Sequence, residues 1–259
     1  MGDDITNIEY IGYSELFFES SRFKTGSKNR PIFDLTHQIA DIKELKVSRL
    51  AVPLTYYVFN TNTDTFTVIE DTGSLTVSVT IPNGNYDAST FVSTLKTLLD
   101  AESLASGNTL TYTVTDSDIT RKITVAATGG FAISVATSSA LTGFSAVQTG
   151  ASTYEATDVY NMVGPKNLYL RSNIANFLSR DSIVENSSTY NNVLTQFPTN
   201  GNTGDINYVS YDNTLFLKTQ FDLSDIEFYF TDVDGVAVDF QGESFSVTMQ
   251  IKRDIVSSG

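Results

Sequence analysis

Ile81-Pro82-Asn83-Gly84-Asn85-Tyr86-Asp87 closes one strand pattern and opens a helix. The alternating run Leu75 to Ile81 stops at Pro82, which has no N–H to give a sheet ladder. Asn83-Gly84-Asn85 is turn chemistry, and Asp87 is a good N-cap. Phe91, Leu95, Leu98 and Leu99 then fall at i, i+4, i+7 and i+8, one face of a helix over Ala88 to Ala101. The expected roles are geometric: Pro82 ends the strand, Gly84 permits the turn and Tyr86 pins the helix start.

Working outward, the helix interrupts a chain of short strands. Before it come Pro31–Ile39, Ile42–Val52 (apolar at Leu45, Val47, Leu50 and Val52), Tyr56-Tyr57-Val58-Phe59, and the pair Phe66–Ile69 and Leu75–Ile81 around the turn Asp71-Thr72-Gly73. After it come Leu110–Val114 and Lys122–Ala127 around Thr115-Asp116-Ser117-Asp118, then Phe131–Val135, and a short turn or helix at Ser138–Phe144. Strand, helix, hairpin, strand and turn make a compact α+β unit. Residues 145–164 read as a polar linker, and 180–205 as polar surface loops interrupted by Val193–Pro198. Strand patterns also cover Asn167–Ser172, Ile206–Tyr211 and Leu215–Phe221, while Ile174–Leu178 suits a short helix or strand. A hairpin, Ile226–Phe230 and Val236–Phe240 about Asp232-Val233-Asp234-Gly235, precedes a last strand with Phe245, Val247, Met249 and Ile251 inward.

Residues 1–30 are expected to be an N-terminal arm: five acidic residues, Asp3, Asp4, Glu9, Glu15 and Glu19, precede the basic group Arg22, Lys24, Lys28 and Arg30. That group reads either as a solvated leader or as a basic tether to a partner or packaged nucleic acid. Met1 to Thr6 fits the N-myristoylation pattern at Gly2, but Asp3 and Asp4 would repel an anionic membrane and one acyl chain anchors weakly.

Composition narrows the function. The 259 residues are 41% hydrophobic and 12% aromatic, enough for a large all-β domain. Without Cys there is no disulfide framework, thiolate zinc site or Cys nucleophile. The formal charge of −14 opposes general nucleic-acid binding, which needs a positive field. The one His, His37, lies in a strand pattern with no G-x-S-x-G elbow, so a Ser-His-Asp triad is not expected. Asp232-Val233-Asp234-Gly235 resembles the start of a calcium loop but lacks the later ligands, and a hairpin turn is the simpler reading. Asn186-Ser187-Ser188 is a glycosylation sequon that matters only in a secreted protein. There is no P-loop and no G-x-G-x-x-G. No catalytic, cofactor-binding or metal-binding residue is therefore expected, nor any cofactor, and the chain is read as a non-enzyme.

The organisation resembles the penton, or single jelly-roll minor capsid protein, of virophages, polinton-like elements and related icosahedral double-stranded DNA viruses. The passage Lys46 to Pro53 running into Tyr56-Tyr57-Val58-Phe59-Asn60 is similar to one in that family. Val79 to Tyr86 matches its I-P-x-G-x-Y followed by a helix, and Leu141-Thr142-Gly143-Phe144 its L-[LT]-G-F element. Asn167 to Asn173 and the final hairpin and strand follow in the family's order.

The resemblance implies an all-β-dominated fold, a jelly-roll β-sandwich with an inserted small α+β domain. The expected boundaries are an arm at 1–30, a discontinuous jelly roll at 31–70 plus 155–259, and an insertion at 71–154. It implies a capsid structural protein of the virion, assembled in the host cell. As a penton it would form a homopentamer at the fivefold vertex against a double jelly-roll major capsid protein, its insertion pointing outward. Two alternatives stand beside this: a viral or phage receptor-binding or adhesin module whose insertion meets a host receptor, and a β-sandwich hydrolase built on paired carboxylates.

Overall fold

A computed structural model describes residues 10–70, 75–177, 192–211 and 217–255. The chain forms two compact units, residues 1–56 with 165–259, and residues 57–164. Gly2, the Asp71-Thr72-Gly73 turn, the Asn186 sequon and the His37 side chain lie outside the described residues.

The first unit is an all-β, jelly-roll-like antiparallel sandwich. Its strands are β1 (Tyr10–Glu19), β2 (Thr25–Ser27), β3 (Arg30–Pro53), β9 (Asn167–Ser172), β10 (Val193–Pro198), β11 (Ile206–Ser210), β12 (Leu217–Thr231) and β13 (Ser246–Ile255). They run in the order β1-β13-β3-β12-β9-β10, with β2 and β11 also on β3. Separate strands were expected over 31–39 and 42–52; instead β3 is one 24-residue strand. Its C-terminal half pairs with β13 and β11, its N-terminal end with β2, and β12 runs beside it from Leu45 to Ile32 before its last residues pass to β9. Three register shifts between β12 and β3 let two such long strands bend, since each unpaired residue adds local twist.

Alternation sends Phe33, Leu45, Val47, Leu50 and Val52 of β3 inward against Phe228 and Phe230 of β12 and Val247, Met249 and Ile251 of β13. Aromatic rings fill the centre. Phe18 lies 5.1 Å from both Phe33 and Phe228, and Phe230 lies 5.1 Å from Phe245 and 5.5 Å from Phe240 in edge-on geometry. The inward set predicted for the last strand is the one observed: Phe245, Val247, Met249 and Ile251 are all buried.

The expected N-terminal arm is corrected over residues 10–30. Strand β1 pairs with β13 through ten consecutive positions, and Phe18 is part of the core. Glu15 is exposed and Glu19 half-buried on alternate positions of this strand, so the acidic residues that suggest a solvated arm mark its outer face. The chain then turns through a short 3-10 helix at Ser20–Arg22 and forms the β2–β3 hairpin.

The second unit is a five-stranded antiparallel sheet with one helix layer. Its elements are β4 (Thr65–Glu70), β5 (Leu75–Thr80), α1 (Ala88–Ala105), β6 (Tyr112–Asp116), β7 (Ile123–Ser134), the short α2 (Ser139–Thr142) and β8 (Gln148–Glu155). The sheet order is β5-β4-β7-β6, with β8 also on β7. Helix α1 buries Phe91, Leu95 and Leu99, while Leu98 is half-buried. Those side chains share a core with Phe66, Val68, Val77, Val79, Val125 and Ile133 of the sheet's inner face.

This unit begins earlier and ends later than the expected 71–154. Strands β4 and β5 belong to it because β4 also pairs with β7, and the predicted linker contains β8. Alternation shows that a segment is a half-buried strand but not which sheet receives it. Gly143 ends α2 at φ +83°, and a Cβ there would stand 2.2 Å from the Asp158 carbonyl oxygen, so both conformation and space demand glycine.

Candidate interaction surfaces

The Ile81–Asp87 stretch is a structural clasp within the second unit. Phe59 and Gly84 exchange backbone hydrogen bonds of 3.1 and 3.0 Å. The Asn85 side chain accepts the Val58 N–H at 2.8 Å. The Tyr86 hydroxyl donates to the Pro82 carbonyl at 2.7 Å, and its ring packs edge-on against Phe59 and Phe91. Asp87 caps α1 by accepting the Thr90 N–H at 2.7 Å; that bond, with those from the Thr90 and Ser89 side chains, lowers its carboxyl below the usual range. Tyr86 thus pins the helix start as expected. Gly84 has no positive φ, and a Cβ there would meet the Tyr86 ring at an ordinary 3.5 Å. The turn is shaped by the Asn85 and Tyr86 side chains and not by glycine's backbone freedom.

No local pattern marks Glu70, which is fully buried at the end of β4. One carboxylate oxygen accepts from the Tyr112 hydroxyl at 2.6 Å. The other accepts from the Asn108 amide at 2.7 Å and the Ser103 hydroxyl at 3.1 Å. Burial, reinforced by the hydrogen bond to Glu70 and by its charge, pushes the Tyr112 phenol far above its ordinary range. With three donors and no exposure, this carboxylate ties β4, the end of α1 and β6 together and does not face substrate. The spacing of 42 residues to Tyr112 hides it from local pattern. Glu70→Ala orphans two buried hydroxyls and the half-buried Asn108 amide and should lower the stability of the protein by about 3 kcal/mol in urea denaturation.

Asp232 uses one carboxylate oxygen to accept the N–H groups of Asp234 at 2.9 Å and Val236 at 2.8 Å, holding the hairpin turn. Among the described residues no group of three or more His, Asp or Glu is placed to hold a metal. Burial raises the Asp232 carboxyl, with the charge of Asp234 adding to the rise, while the turn N–H groups pull the other way. A raised carboxyl binds its proton more tightly folded than unfolded, so its contribution to stability falls as pH rises through the carboxylate range. Asp232→Asn keeps an oxygen for both N–H groups and cannot ionise. The melting temperature of the variant relative to wild type should therefore increase from about pH 3 to about pH 7.

The basic group at 22–30 is largely spent within the first unit. Lys24 pairs with Asp34, the Lys28 ammonium donates to the Gly242 carbonyl at 2.8 Å, and Arg30 forks onto Glu227 beneath the Tyr229 ring. His37 lies in β3.

The outer face of the second unit's sheet carries no ionisable residue on β4, β5 or β7. Its outward positions are Thr65, Thr67, Ile69, Thr76, Ser78, Thr80, Thr124, Ala126, Ala132 and Ser134. Where β7 and β8 splay at a register shift, a hollow of about 760 Å³ opens, lined by Ile69, Gly130, Ala132, Thr149, Gly150 and Ala151. A Cβ on Gly130 would meet nothing within 4 Å, and its φ is not positive, so neither packing nor conformation requires glycine there.

No described protein family and no curated protein matches the sequence. Among solved structures, the chain is similar to the mavirus penton protein, at 9% identity and a TM-score of 0.49 over 94% of this chain and 100% of that one. It is also similar to a chain in the cryo-EM structure of the Sputnik virophage, at 14% identity and a TM-score of 0.44 over 94% of this chain and 98% of that one.

Proposed function

We propose that this chain is a structural protein of a viral capsid, the penton that closes an icosahedral shell at its fivefold vertices as a homopentamer set against a double jelly-roll major capsid protein. The observation that carries the reading is the architecture. A jelly-roll-like sandwich is interrupted once, between β3 and β9, by a self-contained α+β unit at 57–164. That unit contains both Tyr57-Val58-Phe59 and the Pro82–Tyr86 clasp, bonded to each other, in the order that the sequence resemblance requires. The chemistry is consistent with a structural role, because the one fully buried carboxylate among the described residues is consumed in holding strands and helix together. Cyclic closure uses a repeated heterologous contact. Native mass spectrometry and negative-stain microscopy of the purified chain should give a species of five chain masses and fivefold rings. A monomer that does not associate with a major capsid protein overturns the reading.

The sheet face without ionisable residues on β4, β5 and β7, with its hollow, favours a second reading, a receptor-binding module acting through residues 57–164. Screening the full chain against neutral glycans and host-surface proteins tests it. Gly130→Phe, whose side chain enters open space, should abolish a binding signal at the hollow without lowering the melting temperature.

A further inference from the structure

The solvent face of β1, β13, β3 and β11 has two unlike margins. Pairing register lines up Glu19–Ser246–Ala51–Tyr208 in one row and Phe17–Thr248–Arg49–Ser210 in the next, with Glu15–Gln250–Lys46 beyond. Directly opposed residues share a face, and none of these is buried, whereas the intervening row Phe18–Val247–Leu50 points into the core. One margin presents Glu15, Phe17 and Glu19. The other presents Arg49 of β3, about 10 Å away across two strand spacings, with Tyr208 and Ile206 of β11 one spacing further.

Both margins expose large apolar side chains, with Phe17 at 70% exposure, Tyr208 at 73% and Ile206 at 53%. Glu19 and Arg49 make no ion pair among the described residues. Strand β1 also lacks the usual guards of an edge. Its ten residues pair with β13 without a register shift, contain neither Pro nor Lys, and have no strand on their other side among the described residues. A long, unbulged edge bearing an exposed Phe is a site of association.

We propose that this face is the contact between successive copies of the chain, with the Glu15–Phe17–Glu19 margin of one copy seated on the Arg49–Tyr208–Ile206 margin of the next. The occupant is a second copy because the acidic, aromatic margin finds its basic, aromatic complement on the same face. In a chain of net charge −14, copies repel unless opposite charges meet locally. The contact joins two different patches, so it is heterologous and builds a ring when the rotation closes. The inference rests on the reading of the protein as a cyclic homo-oligomer and names the surface that reading leaves unspecified.

The test is a charge swap read by sedimentation velocity and native mass spectrometry on the full chain, with thermal melts as a folding control. Glu19→Lys and Arg49→Glu should each weaken assembly by about tenfold or more, and the double variant should recover to within about threefold of wild type, since the swapped charges meet again across the contact. Phe17→Asn, on the solvent face, should weaken assembly without recovery by either charge change. Wild-type protein that is monomeric overturns both the oligomer reading and this contact. An oligomeric wild type whose assembly all three single variants leave intact, or a double variant no better than its parents combined, overturns the contact alone.

Discussion

The first unit depends on a single strand. Four others, β2, β11, β12 and β13, take their register from β3, and β1 is tied to it through β13. Because side chains alternate across a strand, one choice of which β3 residues face inward propagates through every ladder it enters. Leu45, Val47, Leu50 and Val52 make that choice. The bulges against β12 and β13 let one continuous strand serve neighbours along a bent path instead of breaking into two.

The second unit solves a different problem, which is how to hold a helix against a sheet whose outer face is left to solvent. Apolar burial of Phe91, Leu95 and Leu99 supplies the drive, but hydrophobic contact is non-directional. Direction comes from polar groups at the two ends of α1. At its start, Asp87 and Tyr86 fix the entry angle through hydrogen bonds to Thr90 and Pro82. At its end, Ser103 donates to buried Glu70, which also holds Tyr112 of β6 and Asn108 of the connecting loop. A buried carboxylate is tolerated only when its lone pairs are filled, so these partners act as a set.

Charge is distributed according to what each surface does. A formal charge of −14 makes copies of the chain repel, and several of the few cations are held by local partners: Arg30 forks onto Glu227, and Lys24 and Lys28 steady the β2–β3 hairpin, while Arg49 stands exposed on the outer face. The outer face of the second unit's sheet, without ionisable groups on β4, β5 and β7, departs from this pattern. Those three strands offer a partner mainly shape and hydroxyl groups, and such a surface differs in kind from the margins of the sandwich.

Much was legible in the residues themselves. The inward set of the last strand, the helix face, the Asp87 cap, the pinning role of Tyr86 and the hairpin turn at Asp232 follow from periodicity and local hydrogen-bonding capacity, which act over a few residues. What escaped was long-range. The first strand was hidden by acidic residues that lie on its outer face, β8 by the small polar residues of an exposed edge, and Glu70 by partners more than thirty positions away. Local pattern sufficed for strands with clean alternation, such as β4, β5 and β13, and for which side of each turns inward, because a period of two is a property of the backbone alone. Tertiary structure decided which sheet receives each strand, where the second unit begins and ends, and which unlike charges share a surface. Those outcomes depend on loop closure and burial between residues far apart in the chain, and no local pattern records them.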